Sequence, residues 1–152
     1  MNTELFALLY LSLGFLSAMV GGVFLSFSDF VMRGFAQADR VSAIDCMQGL
    51  NKTVFKSIFL FCFIGMVPLT IVIAMITGEF IAYITAAVYI LLVFLTTVMG
   101  NVPMNEKLER SEKSSQDAGQ YWETYAVNWT RWNHVRTLGS FITSVLYLVA
   151  SL

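Results

Sequence analysis

Toward the carboxyl end of this chain, Trp122, Tyr125, Trp129, Trp132, Asn133 and Arg136 recur at helical spacing. On a helix they all fall within an arc of about 100°. Indole and phenol rings make an apolar aromatic wall, while an amide and a guanidinium supply N–H donors. Facing lipid, such a set would be costly, so it is expected to face the bundle interior and form a polar, aromatic-lined pocket where those groups find partners. Asn101 and Asn105, one helical turn apart around Pro103, add further amides, as do Gln48 and Asn51, which share a face. The ligand-binding candidates are therefore Gln48, Asn51, Asn101, Asn105, Trp129, Trp132, Asn133 and Arg136.

A bland reading stands beside this one. Trp and Tyr also gather in belts at membrane surfaces, and an amide beside a proline can cap the backbone groups that the proline frees. A belt, however, does not require Asn133 and Arg136 on the same face, and Ser140, Thr143 and Tyr147 continue that face further along. A base is harder to find. Asp29, Glu106 and His134 are the candidates, and helical geometry turns His134 away from Arg136, beside Arg131 and toward solvent or headgroups. No Cys or His cluster has metal-ligand spacing, and no phosphate loop, nucleophile elbow or paired-carboxylate signature is present.

The elements that must position these residues are helices in a membrane. Of the 152 residues, 57% are hydrophobic and only 12% charged, about half the charge that a soluble domain carries. Leu5 to Ser28, Ser57 to Gly78 and Phe80 to Asn105 hold no Asp, Glu, Lys or Arg, and each is long enough to cross a hydrocarbon core of about 30 Å. A fourth stretch, Thr137 to Leu152, reaches that length if its helix starts near Asn133. The expected architecture is all-α: a single domain over residues 1–152, a four-helix membrane bundle with helices over about 4–30, 43–77, 80–106 and 121–151. With only Glu4 charged ahead of it, the first stretch is expected to stay as a helix rather than act as a cleaved leader. Cys46 and Cys62 lie too far apart on one continuous helix to pair, and are expected as free thiols.

All nine Lys and Arg residues fall between the first and second charge-free stretches or between the third and fourth. The positive-inside rule then puts both long connections in the cytoplasm and both termini outside, in the cell (inner) membrane. The second and fourth helices exceed the membrane thickness, so their polar halves are expected to extend on the cytoplasmic side. Gly14, Ala18 and Gly22, with Ser17 and Gly21 alongside, allow close approach of a neighbouring helix. Pro68 is expected to kink the second helix. The expected partners are membrane lipids, since the basic loops face anionic headgroups, and no nucleic acid is implied.

Four segments, Phe27-Ser28-Asp29-Phe30-Val31-Met32, Met47-Gln48-Gly49-Leu50-Asn51, Asn101-Val102-Pro103-Met104-Asn105, and Trp129 with Trp132-Asn133-His134-Val135-Arg136, resemble the anthrone oxygenase-like family of small four-helix membrane proteins. One departure is Arg33-Gly34, where that family often has a proline after the methionine. The resemblance implies an oxidoreductase that acts on a flat, apolar aromatic small molecule and needs no metal, flavin or other cofactor. A base removes an acidic C–H proton, and the enolate itself passes an electron to O₂. On that reading Trp129 and Trp132 form the aromatic wall, Arg136 and Asn105 hold the oxyanion, and the base is unassigned. The alternative is a non-catalytic membrane module that binds a lipid, a quinone or a partner helix through the same pocket.

Overall fold

The computed structural model describes residues 3–152, and among them every regular element is helical. Helix α1 (Thr3–Ser26) runs through a π-helical turn (Phe27–Val31) into α2 (Met32–Phe35). Helices α3 (Arg40–Thr53) and α4 (Ile58–Thr77) follow, separated by the 3₁₀ turn Val54–Lys56. Helix α5 (Phe80–Val88) continues through the π-helical turns Tyr89–Leu95 and Thr97–Asn101 into α6 (Val102–Glu109), and α7 (Gln116–Ala150) ends the fold. Three helical stretches, Glu4–Phe35, Ile58–Thr77 and Phe80–Glu109, are long and apolar enough to cross a membrane. This is an all-α membrane protein.

The helix expected over 43–77 is not continuous. Ser57 has extended backbone (φ −93°, ψ 148°), and its Oγ accepts from Leu60 N at 3.2 Å. A serine ahead of an apolar run satisfies an orphan amide and starts a new helix, and this local gain ends the earlier one. Asp39 does the same for α3, accepting from Val41 N and Ser42 N, so α3 begins at Arg40. Ser115 caps α7, which therefore starts ahead of the expected residue 121. The π-helical turn Thr97–Asn101 lies directly before Pro103, whose missing N–H leaves the regular ladder incomplete. Thr97 Oγ1 donates to Val93 O at 2.7 Å there.

Helix α7 is the axis of the packing. Gly14 and Gly21 bring α1 close: a Cβ at Gly14 would lie 3.3 Å from Ser144 O, and one at Gly21 would lie 3.0 Å from Ser140 Cβ. Ser17 Oγ, between them, donates to Ser140 O at 2.9 Å. The row in contact is thus Gly14, Ser17 and Gly21, while Gly22 faces open space. On the other flank a Cβ at Gly139 would lie 2.7 Å from Leu92 Cβ. Ser140, Thr143 and Ser144 are buried along this axis. At the far end Tyr10 stacks on Tyr147 and donates to Glu79 at 2.8 Å.

Candidate functional site

Two apolar clusters meet where α1, α6 and α7 converge. One, around Phe24, Phe63 and Tyr89, lies within the apolar helices; the other, around Met47, Leu108, Tyr125 and Trp129, joins α3 to the amino-terminal half of α7. The polar residues of α7 lie between them.

Trp122, Tyr125 and Trp129 stack in series, with ring centroids 5.4 and 6.2 Å apart. Asn105 holds the stack to α6: its Oδ1 accepts from Tyr125 Oη and from Trp129 Nε1, each at 2.8 Å. Burial pushes the Tyr125 hydroxyl far above its usual pKa, with Asn51 and Arg136 pulling the other way, so it acts as a neutral donor. Asn101 Nδ2 donates to Trp129 O at 3.1 Å. Neither asparagine closes the gap left by Pro103; both bridge to α7.

Below this stack lies Arg136, 5% exposed. Its guanidinium carbon sits 4.3 Å from the Phe24 ring centroid and 5.0 Å from that of Trp129. Nη2 donates to Asn133 Oδ1 at 2.6 Å, while Asn133 Nδ2 donates to Phe24 O and Ser28 Oγ at 2.6 and 2.7 Å. The ion pairs among the described residues join Arg33 to Asp29, Lys52 to Glu109, Arg110 to Glu106 and Lys113 to Asp45. None reaches Arg136. A buried guanidinium with a neutral amide as its partner is an uncompensated charge, which is costly in an apolar setting.

Arg136 lines a cavity of about 730 Å³, within the range of small-molecule sites. Phe24, Phe27, Phe59, Phe63 and Trp129 form its apolar walls, and Asn51 and Asn105 add amides. Two buried donors here lack a protein acceptor, Asn51 Nδ2 and Arg136 Nε. Lys52 and Glu106, both exposed, mark the open side, with Glu109 beside them.

Four of the eight candidate residues line this cavity: Asn51, Asn105, Trp129 and Arg136. Asn101 and Asn133 are fully buried behind it as struts. Gln48 is elsewhere, its Nε2 donating to Leu108 O and Ser111 O at 2.8 and 3.1 Å, where it caps the end of α6. Trp132 does not form the wall assigned to it. It is 46% exposed and packs outward against Gly100, because its place at the edge of the polar arc turns it past the bundle axis. His134 is exposed, as its angle on the helix requires. Asp29 is also exposed and pairs with Arg33. Phe24, Phe59, Phe63 and Glu109 escaped notice; the phenylalanines read as ordinary apolar filler, whereas Glu109 could have been found by its spacing of four from Asn105.

The anthrone oxygenase family model matches residues 51–146, more than half of the chain. The chain belongs to the anthrone oxygenase family. The matched span includes Asn51, Asn105, Trp129 and Arg136, the polar and aromatic lining of the cavity. Of the segments that carry the resemblance, Phe27–Met32 falls outside it and Met47–Asn51 enters only through Asn51. No curated protein and no solved structure matches this member of the family.

Proposed function

We propose that this protein binds an apolar aromatic molecule bearing a carbonyl or enolate oxygen in the Arg136 cavity and oxygenates it without a cofactor. The observation that supports this most directly is Arg136 itself, buried, unpaired with any carboxylate and set on an apolar aromatic cavity. A ligand oxygen that becomes negative during reaction supplies the charge this site lacks, and donors already in place favour that charged state over the neutral one. Asn105 and Asn51 supply the remaining N–H groups. The aromatic walls hold a flat ring system.

The reaction that fits begins with loss of a proton from a methylene made acidic by a ring carbonyl. The enolate passes one electron to O₂, the radical pair combines to a peroxide, and loss of water leaves a ketone where the methylene was. One O₂ accepts four electrons from the CH₂ group, giving one carbonyl and one water.

In the membrane arrangement that accompanies this reading, α7 from about Asn133 is the fourth span and completes a four-helix bundle. The positive-inside rule puts the Lys- and Arg-bearing connections, α3 and the first half of α7 in the cytoplasm, with both termini across the cell membrane. The open side of the cavity, at Lys52 and Glu106, then lies at the cytoplasmic surface.

A second reading, a module that only binds a lipid or quinone, draws on one observation: both carboxylates lining the cavity are held in ion pairs. Oxygen uptake with anthrone as substrate separates the two. Purified protein in lipid nanodiscs should consume O₂ and form the quinone, and Arg136→Met, which keeps the packing volume, should slow this by about 10²- to 10³-fold. Binding without oxygen uptake in the wild type would favour the module.

A further inference from the structure

We propose that Glu109 is the general base of this site, an assignment that rests on the oxygenase reading of the cavity. Glu106 and Glu109 are the carboxylates among its lining residues. The Glu106 side chain is 60% exposed and engaged by Arg110. The Glu109 side chain is half as accessible, 33%, and its two oxygens differ. Oε1 receives Lys52 Nζ at 2.7 Å, whereas Oε2 is covered and has no hydrogen-bond partner. A covered carboxylate oxygen bonded to nothing costs stability in a purely structural role.

Its position on the helix supplies the geometry. Thr97, Asn105 and Glu109 all line the cavity from the third apolar stretch. Glu109 lies one turn beyond Asn105, a rise of about 6 Å. A ring carrying its oxygen at one end and its acidic methylene opposite can lie along that rise. With the oxygen on the Asn105 and Arg136 donors, the methylene lies toward Glu109, and Lys52 fixes the carboxylate from the solvent side.

The proton balance closes on this one residue. Glu109 Oε2 takes a methylene proton, and the pair of electrons left behind delocalises onto the ring oxygen. After electron transfer to O₂ and recombination, the peroxide takes the proton back from Glu109, giving a hydroperoxide. Glu109 then removes the second C–H proton as the O–O bond breaks, and the departing hydroxide takes that proton as water. The carboxylate is restored, and no other oxidant or reductant enters.

Base catalysis can be read without oxidation. Full-length protein in nanodiscs is incubated with anthrone in D₂O under argon, and deuterium entry at the methylene is followed above the uncatalysed rate. Wild type should catalyse exchange, and Glu109→Gln should slow it by about 10²- to 10⁴-fold while binding anthraquinone with unchanged affinity. Glu109→Asp keeps the charge opposite Lys52 but withdraws the carboxylate by one methylene, so it should bind normally and exchange at an intermediate rate. Wild-type exchange in Glu109→Gln, or in Glu109→Asp if the Gln variant fails to fold, would overturn the assignment and leave the oxygenase reading intact. If the wild type binds anthraquinone but neither exchanges nor consumes O₂, the oxygenase reading fails, and the base assignment with it.

Discussion

Arg136 donates through Nη2 to Asn133 Oδ1 at 2.6 Å, so the guanidinium is fixed by a neutral amide rather than by a carboxylate. The arrangement orients the side chain yet leaves its charge available to a ligand. Asn133→Asp would place a counter-ion at the same point. It should weaken binding of an anionic phenolic anthracene by about tenfold or more, some 1.4 kcal/mol, as measured by titration calorimetry. Unaltered affinity would mean that the Arg136 charge plays no part in binding. The same variant removes donors from Phe24 O and Ser28 Oγ, so thermal unfolding is followed alongside.

The two neighbouring tryptophans should behave differently. Trp129 is buried on the cavity and donates to Asn105, whereas Trp132 packs outward against Gly100. Trp129→Phe keeps a ring but loses the indole N–H, and should reduce ligand affinity and stability together, the latter by about 0.5–1.5 kcal/mol. Trp132→Phe should leave ligand affinity unchanged. Equal losses in both would place the binding surface outside this cavity.

Much of this architecture could be read from charge-free runs and helical angles, because a membrane forces backbone hydrogen bonds inside each helix and so makes length and hydropathy decisive. Angles on α7 also placed Trp129 and Arg136 inward and His134 outward. They were weakest for Trp132, at the edge of the arc, where a small rotation decides which side a ring takes. The break at Ser57 hid where the amphipathic pattern of α3 runs straight into the uniformly apolar run of α4, although a serine before an apolar run is a legible cap. Gln48 and Asn51 share a face in the sequence but part in function: Gln48 finds the carbonyls of Leu108 and Ser111, a tertiary match that periodicity does not contain.

Close packing along α7 gives a test of the fold independent of ligand. A Cβ at Gly139 would meet Leu92 Cβ at 2.7 Å and a Val93 methyl at 3.0 Å, and the backbone of Leu92 also lies within 3.3 Å. Backbone cannot move aside as a long side chain can, so Gly139→Ala should destabilise by about 1–3 kcal/mol. Gly22→Ala meets nothing within 4 Å, and as a helical glycine it should be neutral or slightly stabilising. Denaturation in mixed micelles reads both. A neutral Gly139→Ala would contradict the close contact between α7 and the Leu92–Val93 turn.

Asp39 predicts a pH effect confined to one helix. Its carboxylate accepts from Ser42 N and Val41 N, and hydrogen bonding from the Ser42 side chain foremost, then from these backbone groups, holds its pKa below the usual value. A carboxyl whose folded pKa is depressed contributes stability above its unfolded pKa, and that contribution is lost as pH falls through the folded value. Protection of the first-turn amides of α3 against hydrogen exchange should therefore hold from neutrality down to about pH 4, then decline as the carboxyl takes up its proton. Asp39→Asn retains a capping oxygen without the charge, so its protection, corrected for intrinsic exchange, should stay level across that range. Asp39→Ala should lower protection at every pH. An Asn variant that declines with the wild type would assign the acid sensitivity to another group.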